Sequence, residues 1–509
     1  MNNLAGIDVK KLSTQYNEYT RLPLLLKRFS FDEKMRIATY HSSNAIMLNE
    51  KIHQKDTNPM ILPWCLETFV MLAIESKEFQ NGDFKGKNEN KFISMYNTIW
   101  EATSFVTDLD SEKFPFIDLF MPVTALTQFH LQEVRNIKQY RYWKIFNDNS
   151  DPVHLKDTFK SKMGTDYMDF LLLGHMLQGL FIAQSENKII MPQEVFSYLL
   201  YKRFPNAAKK LVISRSEYLT LQNKFADQSM KPFGYLYSLC PSYQYAFIYE
   251  DSKLYCPLPH LLNQNITSSL MFRLTENNNA LRNDIGKHIL EKYLFDLIND
   301  TKIYQEIFPE QNYKYKGTQS KSPDILAKQD KNILFIDSKS TVPSIGIRLF
   351  DTKAYEKNID IVAENIKKLY HQIQRFEFYN PFSTEISQDK ENYWGIVIVL
   401  EDSFIQRIHY YRKACELLCI KENSDEWQWI IKHIKVASLY DIECICFCGL
   451  SIFDAFQHEL SNNPFNYPFS GFPPKGTTFI DKNFLEFREK INSETDKLIY
   501  EIQDNSILQ

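Results

Sequence analysis

The chain has 509 residues, of which 44% are hydrophobic and 24% charged, a balance that excludes a largely disordered protein. Its 59 Lys+Arg and 63 Asp+Glu give a net charge of −4, so no global basic signature marks a nucleic-acid binder and any such contact must come from local patches. Glycine is scarce, at 14 residues, beside 38 Phe and 29 Tyr; with neither GxGxxG nor GxxxxGK[ST] present, the composition predicts packed helices and strands and disfavours a glycine-rich phosphate loop.

Residues 1–19 lack the apolar stretch of a signal peptide. The longest nearly uncharged run, 170–185, falls short of the roughly 20 residues that a membrane span needs. A cytoplasmic protein with no membrane contact is therefore expected. Residues 1–232 read as a mainly helical recognition or regulatory domain. Pro63 opens an apolar-striped helix, and 101–105, 119–143 and 168–183 continue the helical pattern. The connector 233–280 contains YQYAFIYEDSKLYCPLP, which predicts a hairpin turning at Asp251-Ser252.

The region 281–461 alternates helices and strands. A helix is expected over 284–298, then a turn-rich segment around Pro309 and Gly317, a short strand after Pro323 and a strand over 332–339. A helix over 355–378, a strand over 394–400, a helix over 404–418 and a strand over 442–447 complete it. That order predicts a mixed sheet, so the whole chain reads as α+β or α/β. Residues 462–476 read as a Pro-rich linker and 481–502 as a closing helix, together forming a 462–509 tail. The eight cysteines contain no CxxC. Cys415 and Cys419 are spaced for a helix and Cys444, Cys446 and Cys448 for a strand, and no zinc pattern emerges, so buried thiols in a reducing compartment are expected.

The informative stretch is KSPDILAKQDKNILFIDSK, residues 321–339. ILFI is a continuous apolar run, suited to a strand covered on both faces, and it ends abruptly in Asp337-Ser338-Lys339. Residues two apart on a strand share a face, so Asp337 and Lys339 project together. A hairpin turning at 329–331 can bring Asp324 close to Asp337. Two carboxylates that near raise each other's pKa unless a cation neutralises them. Mg²⁺ suits such a site, since it takes one or two carboxylates, waters and phosphate oxygens. A lysine beside it can stabilise charge on a phosphoryl group or orient the attacking water.

Pro323-Asp324 followed by Asp337-Ser338-Lys339 resembles the signature of the PD-(D/E)xK nuclease superfamily, and the element order over 282–401 resembles its restriction-endonuclease-like αβββαβ core. The resemblance implies that Asp324 and Asp337 hold the metal, with the Ser338 carbonyl as a further ligand and Lys339 as the catalytic lysine. It also implies an acid on the preceding helix, for which Glu291 is the candidate, and a glutamine on the following helix. Gln372 and Gln374 both offer that glutamine, and their spacing means that only one faces the site.

Two basic stretches interleaved with aromatics suit phosphate contacts. One carries Arg135, Lys138, Arg141 and Lys144; the other carries Lys202, Arg203, Lys209, Lys210 and Arg215. A solvated helix face is the plainer account of both. The expectation is thus a Mg²⁺-dependent phosphodiesterase, with Mn²⁺ able to substitute: a DNA endonuclease of prokaryotic restriction or anti-phage defence, as a homodimer or with a partner protein. The alternatives are a non-catalytic nucleic-acid-binding or assembly module on the same fold, and an RNA-cleaving toxin.

Overall fold

The computed structural model describes residues 16–46, 62–78, 89–103, 115–128, 133–185, 193–226, 233–236, 238–348, 351–458, 472–474 and 476–504. Helices dominate the first half. Ser30 caps the helix Phe31–Ala45 by accepting the Glu33 N–H. Pro63 occupies the first turn of the helix Pro63–Glu75, where its missing N–H is not needed, and the run from Cys65 to Ile74 is buried on every side. That helix is the axis of a core shared with Tyr16–Leu26, Phe31–Ala45 and Glu89–Thr103.

The single helix expected over 119–143 is instead two, Phe116–Gln128 and Arg135–Phe146. The second starts after Val134, whose backbone is extended (φ −65°, ψ 111°). Both pieces carry helical periodicity, which is why the break is invisible to pattern alone. The expected Pro-rich linker lies mostly outside the described residues, as does the end of the 101–105 prediction. Among the described residues no helix is long and apolar enough to cross a membrane.

Strand β1 (Val212–Ser214) runs parallel to β2 (Phe247–Glu250), which returns through a two-residue turn to β3 (Lys253–Tyr255). Asp251 and Ser252 both have positive φ (46° and 62°), the type I′ geometry that matches strand twist in a hairpin. This is the hairpin that the aromatic alternation predicts.

The C-terminal half is built on a five-stranded sheet. Between its first strand, β4 (Glu306–Pro309), and β7 (Ile325–Gln329) stands a separate hairpin, β5 (Asn312–Tyr315) with β6 (Thr318–Lys321). Strands β8 (Asn332–Lys339), β9 (Tyr393–Val399) and β10 (Ile434–Ser438) follow, and the spatial order is β10-β9-β8-β7-β4. The β4, β7 and β8 pairings are antiparallel; β8, β9 and β10 are parallel. Helix Thr352–Gln374 connects β8 to β9. The segment expected to be merely turn-rich therefore holds three short strands. Each is only four residues long, so neither the Ile307-Phe308 pair nor the Tyr313/Tyr315 alternation runs far enough to announce a strand.

The strand expected over 442–447 is a helix, Leu439–Phe447, directly after β10. Ser438 and Asp441 form a reciprocal capping box that starts it. Cys444 and Cys446 thus sit on a helix and Cys448 caps its end, with Cys446 and Cys448 buried and Cys444 half-buried, and all eight cysteines are free thiols.

Alternation along the strands gives the sheet two apolar faces. Leu326, Ile333, Phe335, Val397 and Val399 meet Ile359, Val362, Ile366, Leu369 and Ile373 of helix Thr352–Gln374. Ile325, Leu334, Ile336, Ile396 and Ile398 share the other core with Leu290, Leu294 and Leu297, and with Tyr140, Tyr142 and Leu171 of the helical half. The helical half and the sheet are therefore joined through one apolar core, which runs across the chain boundary expected near 281.

Candidate active site

The β7–β8 register pairs Ile325 with Ile336, so one step further out Asp324 stands opposite Asp337. Both lie in phase with Leu326, Phe335 and Ile333, on the face covered by helix Thr352–Gln374. Asp324 Oδ2 accepts hydrogen bonds from the Ser338 backbone N–H (2.6 Å) and hydroxyl (3.0 Å), which fixes that carboxylate across the strand pair. Asp337 is fully buried, yet two ammonium groups bracket it. Lys339 Nζ lies 2.9 Å from Oδ2, and Lys368 Nζ donates to Oδ1 at 2.6 Å. The Lys339 contact is an ion pair without hydrogen-bond alignment, so Oδ2 is a buried acceptor lacking a hydrogen bond.

Burial and the Asp337 charge push the Asp324 carboxyl up to about 6. Glu291 is pushed up to about 7, first by burial and then by Asp324 and Glu310, against the opposing pull of Lys339. Asp324, Asp337, Lys339 and Glu291 therefore share one electrostatic neighbourhood. The helix carrying Glu291 enters it through a π-turn, Ile285–Leu290, whose Gly286 packs so closely on the end of β8 that a Cβ would meet Ser340 Oγ at 2.8 Å. A Cβ at this position would oblige the Ser340 hydroxyl to turn away.

On the following helix the two glutamines separate. Gln374 is at the surface, where it accepts from Lys390. Gln372 is buried one turn beyond Lys368 on the same helix face. Its Nε2 donates to the Lys321 carbonyl (3.1 Å), and its Oε1 is a buried acceptor without a hydrogen-bond partner. Two contributors escaped sequence reading. Lys368 could have been found, since it precedes Gln372 by four residues on an amphipathic helix. Glu310, whose charge reaches Glu291 and Lys368 and which pairs with Lys321 at 2.5 Å, follows a strand that the sequence pattern does not reveal.

The donor set fits a hard divalent cation. Two facing carboxylates with an under-bonded buried oxygen suit Mg²⁺ or Mn²⁺, which complete their coordination with water and phosphate. Among the described residues no group of three His, Cys, Asp or Glu side chains is placed to hold a metal ion, so a cation here would rest on the two carboxylates with water and phosphate. A second constellation has the wrong access for chemistry. Ser42 Oγ lies 2.7 Å from His260 Nδ1, and His260 Nε2 lies 3.4 Å from Glu67 Oε1, but all three residues are buried.

The basic stretches divide. Lys138 and Arg141 are buried and paired, Lys138 with Glu401 (3.3 Å) and Arg141 with Glu443 (2.9 and 2.5 Å), so neither is presented to a phosphate backbone. Arg215 is likewise committed, to Glu78 and Glu250 at 3.2 Å. Arg135 is half-buried. Lys144, Lys202 and Lys209 are exposed, Lys210 donates to the Lys162 carbonyl, and Arg203 pairs with Glu501 at 3.5 Å. A helix dense in bases here serves as an internal clasp because its partners, Glu401 and Glu443, are some 260 to 300 residues distant.

Comparisons with family models, with curated proteins and with solved structures find no match.

The raised carboxyls carry a pH consequence. Glu291 and Asp324 hold protons more tightly folded than unfolded, so their stabilising contribution is complete below about pH 4 and is lost as pH rises through 6 to 7. In EDTA the wild type should lose stability between pH 5 and pH 8 by more than Glu291→Gln does, measured as urea midpoints. Parallel declines in the two proteins would show that Glu291 does not titrate as described.

Proposed function

We propose that the protein is a divalent-metal-dependent phosphodiesterase that cuts DNA, an endonuclease of the restriction or anti-phage defence kind. The carrying observation is the Asp324–Asp337 pair across β7 and β8 with Lys339 two residues on. The antiparallel β4-β7-β8 meander, the helical crossover and the parallel β9 follow the order of an αβββαβ nuclease core, which supports the same reading. When bound, Mg²⁺ or Mn²⁺ supplies Lewis-acid stabilisation of phosphoryl charge and lowers the pKa of a coordinated water.

Asp324 and Asp337 would hold the metal, with the Ser338 carbonyl and Glu291 assisting. Ser338, through its N–H and hydroxyl, keeps the Asp324 carboxylate turned toward Asp337. Gln372 presents an unpartnered acceptor to the hydrogen of an attacking water. Lys339 supplies positive charge beside the phosphate. With its raised pKa, Glu291 is poised to take a proton near neutral pH.

One observation favours a second reading. Lys339 and Lys368 already neutralise Asp337, as would suit a binding module that keeps the fold and needs no metal. Incubating the full chain with plasmid, linear DNA and structured RNA, each with Mg²⁺, Mn²⁺ or EDTA, decides between them. Metal-dependent cutting of DNA is expected. Cutting of RNA alone would change the substrate, and inertness on all three would support the binding module.

A further inference from the structure

A cavity of about 120 Å³ is walled by the residues that leave the C-terminal ends of β8 and β9, Ser340 and Val342 on one side and Leu400 and Glu401 on the other. Its wall begins one residue after Lys339, and the Leu400 N–H donates to the Lys339 carbonyl at 3.0 Å, so the cavity adjoins the candidate catalytic lysine. Ligands of sheet proteins commonly sit in such crevices beyond strand C-termini.

The lining has three chemical parts. Tyr243 and Phe272 supply aromatic surface. Ser269 is 9% exposed, and its hydroxyl is buried without a hydrogen-bond partner; Gln264, also buried, has its Oε1 occupied by Ser268, which leaves the amide nitrogen as the donor. At the edge stands Arg282, whose guanidinium makes one hydrogen bond among the described residues, to Thr275 Oγ1 at 3.2 Å, and no ion pair. An orphaned buried hydroxyl carries a desolvation cost that a polar ligand atom would relieve. An unpaired guanidinium is suited to phosphate. At the ~30 Å³ that one water takes in the liquid, the volume holds about four waters, enough to receive the edge of a planar ring.

We propose that this cavity binds one nucleotide, with its base between the aromatic walls and against Ser269 and Gln264, and its phosphate on Arg282. The ligand comes from one of two sources: a nucleotide extruded from the strand being cut, which rests on the phosphodiesterase reading, or a free mononucleotide acting as effector. Extrusion would seat a base beyond the C-terminal ends of β8 and β9, next to the strand end that carries Lys339, and the protein would read that base by its edge.

The test uses the full chain in EDTA, so that cleavage does not intervene. In calorimetric titrations nucleoside monophosphates should bind at least tenfold more tightly than ribose 5-phosphate or the phosphate-free nucleosides. Arg282→Gln should weaken monophosphate binding about tenfold, the equivalent of one charge-assisted contact. Ser269→Ala, which removes a hydroxyl that nothing in the fold satisfies, should fold normally and weaken binding severalfold. In a second arm, duplexes carrying a single 2-aminopurine report extrusion by increased fluorescence. A rise that Arg282→Gln abolishes assigns the ligand to the strand; monophosphate binding without any rise assigns it to a free effector. No binding in either arm overturns the proposal, as does binding that both variants leave intact. Cleavage assays judge the catalytic reading separately: a nuclease that passes them with an empty cavity keeps its activity and loses this site.

Discussion

Asp337→Asn and Asp337→Ala should each reduce metal-dependent strand cleavage on the order of 10³-fold, the scale on which preorganised charge contributes to catalysis. Asp337 is the one carboxylate that is wholly buried, that faces Asp324 across the strands, and that carries an oxygen lacking a hydrogen bond. No neighbouring group can replace it. The fold should survive, because the ammonium groups left behind are not trapped: the Lys339 and Lys368 side chains are 30% and 41% exposed and can turn to water. Asp337→Asn, which keeps the shape, guards against misreading a packing defect as lost chemistry. Lys368→Met gives a contrasting outcome. Lys368 holds Asp337 Oδ1, which the proposed metal would need, so its removal should lower the metal concentration for half-maximal cleavage severalfold. Cleavage that persists in Asp337→Asn would place the chemistry elsewhere.

The strand core of this site was legible because it is local. A buried apolar strand ending in Asp-Ser-Lys, one hairpin away from Pro-Asp, encodes the Asp324–Asp337–Lys339 geometry within 16 residues, and period-2 alternation does the rest. Gln372 over Gln374 was undetermined, since the choice depends on how helix Thr352–Gln374 rotates onto the sheet, and that is set by Ile359, Val362, Ile366 and Leu369 packing on strands far away in sequence. Glu310 was hidden because it follows a strand of only four residues, too short for its pattern to register. The cysteine alternation misled because a capping box at Ser438 and Asp441 outweighed side-chain periodicity. Charge was the least transferable signal. Lys138 and Arg141 read as a nucleic-acid surface until their distant carboxylate partners are known, and a basic run says nothing by itself about which way it faces.

That burial leads to the largest stability effect expected. Arg141 Nε and Nη2 grip Glu443 Oε1 and Oε2 in a bidentate fork, and the Tyr293 hydroxyl donates to the same Oε1 at 2.7 Å. Both charged side chains are essentially inaccessible to solvent, at 1% and 0%. Glu443→Gln keeps the shape but removes the one carboxylate hydrogen-bonded to the buried guanidinium, leaving only the more distant charges of Glu133 and Glu401, and should destabilise the chain by about 3 kcal/mol. Removing both charges, in Arg141→Met with Glu443→Met, should recover most of that loss, since well-packed apolar side chains can replace a buried pair. The remainder, about 1 kcal/mol, is the acceptor lost to Tyr293. Urea unfolding followed by circular dichroism measures all three proteins. The manner of unfolding is as informative as the midpoint. Residue 141 lies in the helical half and 443 beyond the sheet, and the same helix sends Lys138 to Glu401, which lines the cavity beyond β9. If the helical half and the sheet are one cooperative body, Glu443→Gln lowers a single transition and weakens nucleotide binding in parallel. An early transition confined to helix content, with binding intact, would make the helical half a separable attachment and the fork only its anchor.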